Sequence, residues 1–198
     1  MVMERRVAVD EYFYRCSADA FVAKRVGGLS CHRNRGSFLM KNIGILTSSG
    51  GHLTEAMSII EAFEGHNLFL IVHDLPTLKN IQINEVRKIY QLRVVLGYTS
   101  LMAVFLTAVV NIFQLIRIFW IEKPSILFST GAEIAIPAFY LGKILFRARL
   151  IYLETLTRVK DLSLTGKVLY PVVDLFLVQW PELLKKAGPK AVYGGRLI

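Results

Sequence analysis

Ser48-Ser49-Gly50-Gly51-His52 gathers small side chains and one imidazole at a single turn. The apolar run before it, Asn42 to Thr47, reads as a buried strand. Behind it, Leu53, Ala56, Met57, Ile60 and Phe63 fall at helical spacing and give one apolar face. Gly50 and Gly51 let the backbone turn tightly and let a ligand approach main-chain N–H groups. The helix that follows turns its positive end toward that turn, which suits a phosphate or diphosphate. His52, at the helix start, is a candidate general base or a donor to an anionic oxygen. The plainer reading is a helix capped by Ser49 or a glycine, with His52 at the surface. The turn lacks the full spacing of a dinucleotide or P-loop fingerprint, so both readings stand.

Further polar or small residues gather in similar places. Thr130 and Gly131 lie in STGAE (129–133), which reads as a second close-approach turn, with Glu133 favouring a helix dipole. LETLTRVK (153–160) supplies Glu154, a candidate base or hydroxyl ligand whose alternative is a solvated strand end. Thr155 follows it, and Arg158 and Lys160 are candidate phosphate ligands or part of a basic, membrane-facing rim. HDLP (73–76) is a fourth loop, with His66 and His73 read as structural. The candidate catalytic groups are therefore His52 and Glu154. The candidate substrate or diphosphate ligands are Ser49, Gly50, Gly51, Thr130, Gly131, Thr155 and Arg158. The chain has neither an Asp-x-Asp clamp nor a Gly-x-Ser-x-Gly elbow. Nothing in it calls for a metal or a cofactor.

These loops need a scaffold. Strand-like runs at 42–47, 67–73, 88–96, 125–129, 149–153 and 173–180 alternate with helical patterns, including about 133–145. Apolar strands alternating with helices predict a Rossmann-like α/β fold, a parallel sheet with helices on both faces and right-handed crossovers. Such sheets bind ligands beyond the carboxyl ends of their strands, where all four loops fall.

The 198-residue chain is 54% hydrophobic, with a formal net charge of +9. Its mean hydropathy is +0.45. That balance fits membrane contact or a sheet buried on both faces, and the charge fits anionic lipid or phosphorylated substrates. No zinc finger, RNA-binding aromatic signature or basic helix with interleaved aromatics is present, which argues against nucleic acid. Cys16 and Cys31 make no disulfide framework or metal spacing, so a reducing compartment is expected. Residues 1–39 are basic and lack an apolar run. They read as a disordered arm or a mis-annotated start, or as an arm lying on anionic lipid, with the domain occupying 40–198.

The stretch 99–121 is very hydrophobic, and Val94 to Ile116 carries no charge. It is long enough to span a bilayer. Spanning would separate the first three strands from the rest, so a helix packed on the sheet by one flank is expected. Its other flank is either covered by protein or dipped into the membrane interface. Ser100, Thr107, Asn111 and Gln114 form one polar stripe along it.

SSGGH (48–52), STGAEIAIP (129–137), YLET (152–155), residues 158–183 and PKAVYGGRL (189–197) together resemble one family. It is the membrane-associated subunit of a two-part glycosyltransferase, known as asparagine-linked glycosylation protein fourteen in eukaryotes. A bacterial exopolysaccharide glucuronosyltransferase subunit is similar. The resemblance covers about residues 40–198. It implies the N-terminal, acceptor-side half of a GT-B enzyme, active only with a small partner that holds most of the UDP-sugar. It implies sugar transfer to a polyprenyl-diphosphate-linked glycan on the cytoplasmic face of the membrane, in exopolysaccharide, capsule or lipid-linked oligosaccharide synthesis. Gly50, Gly51 and His52 would then face the cleft near a diphosphate, with Glu154 on the same rim. The alternative is a non-catalytic membrane scaffold that recruits a catalytic partner. The tail PKAVYGGRL is the expected place of partner contact.

Overall fold

A computed structural model of the chain describes residues 40–73, 83–93 and 101–197. The expectation for residues 1–39 falls outside them, as do Ser100 and the Asp74–Pro76 part of the HDLP loop.

Seven strands form one parallel sheet: β1 (Asn42–Leu46), β2 (Asn67–His73), β3 (Lys88–Leu92), β4 (Ile126–Ser129), β5 (Arg149–Leu153), β6 (Leu175–Val178) and β7 (Ala191–Tyr193). Their spatial order is β3-β2-β1-β4-β5-β6-β7. Five helices connect them: α1 (Gly51–Ile59), which tightens into a 3₁₀ turn at Ile60–Phe63, α2 (Leu101–Glu122), α3 (Ala135–Phe146), α4 (Leu164–Leu169) and α5 (Pro181–Ala187). β4 is buried at every position and β1 at all but Asn42, as near-continuous apolar strands covered on both faces require. The edge strand β3 is only partly covered, with Lys88 and Gln91 exposed and Leu92 buried.

Chain order reverses direction between β1 and β4, which places the topological switch point there. Leu46 pairs in register with Ser129, and Ser129 with Tyr152. The loops after β1, β4 and β5 therefore leave the sheet side by side.

Two expected strand ends are shorter in the structure: β3 stops at Leu92 and β6 at Val178. α4 has no counterpart among the expected elements. It is a six-residue helix capped by Ser163, whose hydroxyl accepts from Gly166 N–H at 2.9 Å. Its short apolar span carries too little periodicity to stand out from the flanking loop.

α2 lies against the sheet through Leu115, Ile118 and Phe119, all buried. Phe119 and Trp120 meet Phe146 of α3 edge-on at 5.7 and 6.2 Å. The polar stripe turns toward β3, where Asn111 Nδ2 donates to Arg93 O at 2.9 Å. Met102, Phe105, Leu106, Phe113 and Trp120 remain exposed, joined by Ile144 and Leu145 on α3. Among the described residues one helix, Met102–Glu122, is long and apolar enough to cross a membrane. All seven strands belong to one sheet on either side of it in sequence, as a packed crossover helix requires.

Candidate active site

The turn at the end of β1 is built on Gly50, at φ 82° and ψ −138°, a conformation that excludes ordinary side chains. Gly50 is the N-cap of α1, and no side chain caps the helix. The Ser49 cap therefore does not form. Ser49 is half-buried, and the N–H groups of the first turn face outward without a side-chain acceptor. A Cβ built on Gly50 or Gly51 would meet nothing within 4 Å, so the space over the helix start is open.

His52 does not lie loose on the surface. Its Nδ1 sits 2.8 Å from Thr130 O. A carbonyl only accepts, so Nδ1 carries the hydrogen and, in the neutral ring, Nε2 carries the lone pair. Thr130 is fully buried, and its hydroxyl donates back to His52 O at 2.8 Å. Gly131, at φ 114°, lets the ring close down on this loop: a Cβ there would lie 3.0 Å from His52 Cε1. The imidazole is thus locked between two strand ends that are adjacent only because β1 pairs with β4.

Glu55 completes this arrangement from one turn further along α1. It is 4% exposed. Its Oε1 accepts from the Thr155 hydroxyl at 2.9 Å and from Leu156 N–H at 2.8 Å. Its Oε2 lies 3.8 Å from His52 Nδ1 and has no hydrogen-bond partner. The His52 pKa is raised above its ordinary value, chiefly by this carboxylate, against the opposing effect of burial. The Thr130 carbonyl and the Glu133 charge act in the same direction. Glu133 itself is exposed and lies 3.9 Å from His73 Nδ1 at the end of β2.

Of the two readings of Glu154, the solvated strand end is not what the structure shows. The residue is 1% exposed, because the loop after β5 folds back under α4. Its Oε1 accepts from Thr155 N–H at 3.1 Å, and its Oε2 accepts from Ser163 N–H and Oγ at 3.0 and 3.1 Å. Burial raises its pKa, against these hydrogen bonds. The structure therefore brings His52, Gly50, Gly51, Thr130, Gly131 and Thr155 together and sets Glu154 beneath them. Arg158 stands exposed on the rim of the same loop.

The sequence reading missed Glu55 and Trp180. Glu55 carries one available signal, its position three residues after His52 on a helix. Trp180 Nε1 donates to Leu156 O at 2.7 Å, and the Arg196 guanidinium stacks 3.9 Å from the Trp180 ring centre. Leu197 N–H donates to Gln179 Oε1 at 3.1 Å, so the tail is fastened beside the site loop. A cavity of about 320 Å³ lies elsewhere, between β3 and α2, lined in part by Lys88, Tyr90, Gln114 and Arg117. Among the described residues no three His, Cys, Asp or Glu side chains cluster as metal ligands would.

This doubly wound parallel sheet, with glycine turns at its switch point, is folded like the N-terminal half of a GT-B glycosyltransferase. MurG of Acinetobacter baumannii superposes with a TM-score of 0.61 over 77% of this chain and 45% of that one, at 17% identity. UDP-N-acetylglucosamine 2-epimerase of Rickettsia bellii does so at 0.58, over 80% of this chain and 45% of that one, with 12% identity. The family model described as "Oligosaccharide biosynthesis protein Alg14 like" matches residues 43–197, and the chain belongs to that family. The Yarrowia lipolytica protein named UDP-N-acetylglucosamine transferase subunit ALG14 is 34% identical over 63% of this chain and 56% of its own length. Its human namesake is 37% identical over 38% of this chain and 37% of its own length. The chain thus spans about half or less of the curated relatives it matches.

Proposed function

We propose that this chain is the membrane-associated, acceptor-side subunit of a two-part glycosyltransferase, active only with a UDP-sugar-binding partner. Its acceptor is a polyprenyl-diphosphate-linked glycan on the cytoplasmic face of the membrane. Family membership, and the word "subunit" in the relatives' names, support a heteromeric enzyme. Those names also favour N-acetylglucosamine as the sugar. The exposed apolar face of α2, continued by Ile144 and Leu145, supports attachment to a bilayer surface.

The observation that carries a catalytic reading is the orientation of His52. With Nδ1–H committed to the Thr130 carbonyl, Nε2 is left to take a proton beside the open N-terminus of α1. In the reaction the acceptor hydroxyl oxygen attacks the anomeric carbon of the donor sugar. The bond from that carbon to the UDP oxygen breaks, UDP leaves with the electron pair, and Nε2 takes the hydroxyl proton. In this reading the uncapped N–H groups of Gly51 and His52, with Arg158 on the rim, receive diphosphate oxygens.

The test uses the chain reconstituted with its co-purified partner on lipid vesicles, with labelled UDP-sugar and a polyprenyl-diphosphate acceptor. His52→Ala is expected to abolish most turnover while partner binding and vesicle attachment persist. Unchanged turnover overturns the catalytic reading and leaves a scaffold that recruits a catalytic partner.

A further inference from the structure

We infer that Glu55 is a positioning residue for His52: the two form a carboxylate–imidazole pair, with the loop after β5 holding the carboxylate in place. The inference rests on the reading of His52 as the base.

Three observations carry it. The carboxylate is buried, yet one oxygen, Oε2, has no hydrogen-bond partner and points at His52 Nδ1 from 3.8 Å. A buried, unsatisfied carboxylate oxygen is costly and needs a reason. The opposite oxygen is held by two donors on a segment 100 residues away, the Thr155 hydroxyl and Leu156 N–H. Leu156 is held in turn by the Trp180 indole. This bracing serves no helix end or strand edge, because it crosses from α1 to the loop beyond β5. It fixes the carboxylate behind the one ring nitrogen that must keep its hydrogen.

The arrangement does two things. It favours the Nδ1–H tautomer, which leaves Nε2 basic. It also stabilises the imidazolium formed when Nε2 takes a proton, because a negative charge then lies behind the ring. Thr155 thereby acquires a role different from ligand binding: its hydroxyl is spent on Glu55. The other titratable groups on the elements packed around the imidazole, among the described residues, are Glu133 from the loop after β4, His73 behind it at the end of β2, and Tyr152, Glu154 and Arg158 from β5 and its loop. Glu55 also helps to raise the pKa of Tyr152, but that phenol is neutral wherever His52 titrates, so a shift of the His52 midpoint on substitution belongs to Glu55.

The experiment is a titration of His52 by side-chain nitrogen NMR in the full chain, for wild type and Glu55→Gln. It needs no turnover, so it separates this inference from the proposed reaction. The His52 midpoint is expected to fall in Glu55→Gln, with a smaller Nδ1–H population in the neutral ring. In the reconstituted pair, kcat is expected to fall about 10- to 100-fold with little change in KM, and the acidic limb of the pH profile should move to lower pH. A merely structural role would lower activity without moving that limb. Should Glu55→Gln not fold, Thr155→Val removes one of the two braces, and a smaller shift in the same direction is expected. An unmoved His52 midpoint in the folded variant overturns the inference.

Discussion

His52 and Thr130, 78 residues apart, bond each other twice: His52 Nδ1–H to the Thr130 carbonyl, and the Thr130 hydroxyl to the His52 carbonyl, each at 2.8 Å. One bond sets the ring tautomer and the other pins the first turn of α1 to the end of β4. Thr130→Val keeps the shape and loses the second bond, leaving the His52 carbonyl without that donor. A loss of about 1 kcal/mol in stability is expected by chemical denaturation, with a larger proportional loss in turnover. Activity equal to wild type would show that the pinning is irrelevant to His52.

Gly51 and Gly131 separate close ligand approach from backbone strain. Gly51 has open space around it and an ordinary φ, so Gly51→Ala is expected to fold with unchanged Tm. On the proposed reading it should still lose activity, because the added methyl would occupy the open space where a diphosphate would approach the helix N-terminus. Gly131→Ala is expected to lower Tm, since φ is 114° and the new Cβ would press on His52 Cε1. Differential scanning fluorimetry beside the coupled sugar-transfer assay reads both.

The raised His52 pKa has a definite pH signature. The native ring holds its proton to higher pH than the unfolded ring, whose value is 6.5. Its contribution to stability is thus fully present below about pH 6.5 and is lost as pH rises through the native value. His52→Asn preserves a donor to Thr130 O without the titration. Denaturation curves at a series of pH values should show the stability difference between wild type and His52→Asn shrinking from acid to alkaline pH. A difference constant across that range would count against the charged pairing with Glu55.

Phe105 and Phe113 are 63% and 68% exposed on α2, so their replacement costs little in folding. Phe105→Asp with Phe113→Asp is expected to abolish flotation with anionic lipid vesicles while circular dichroism stays unchanged. Undiminished flotation would place the membrane contact elsewhere in the chain.

Glu154→Ala removes the acceptor of three donors at Thr155 and Ser163 and opens a void under α4. Each orphaned buried donor costs about 1–3 kcal/mol, so strong destabilisation is expected, measured by urea unfolding. Wild-type stability would mean that the loop after β5 rearranges without it.

The sequence by itself determined the sheet and its turns. Apolar runs bounded by Gly, Pro and polar residues located β1, β2, β4 and β5 almost to the residue, because strands buried on both faces tolerate little else. SSGGH and STGAE were legible as tight glycine turns for the same local reason: glycine there answers to backbone geometry. The apolar surplus of α2 was equally plain, though not which flank would face the sheet. Tertiary structure alone decided which loops meet. His52, Glu55, Thr130 and Thr155 belong to three segments, and only the strand order brings them within hydrogen-bond reach. It also decided the fate of the two glutamates. Glu55 drew no reading from the sequence, and Glu154 was open between a base or hydroxyl ligand and a solvated strand end. Their burial depends on the path of the loop after β5, and a loop's path is set by long-range contacts with α1 and α4 that no local pattern encodes.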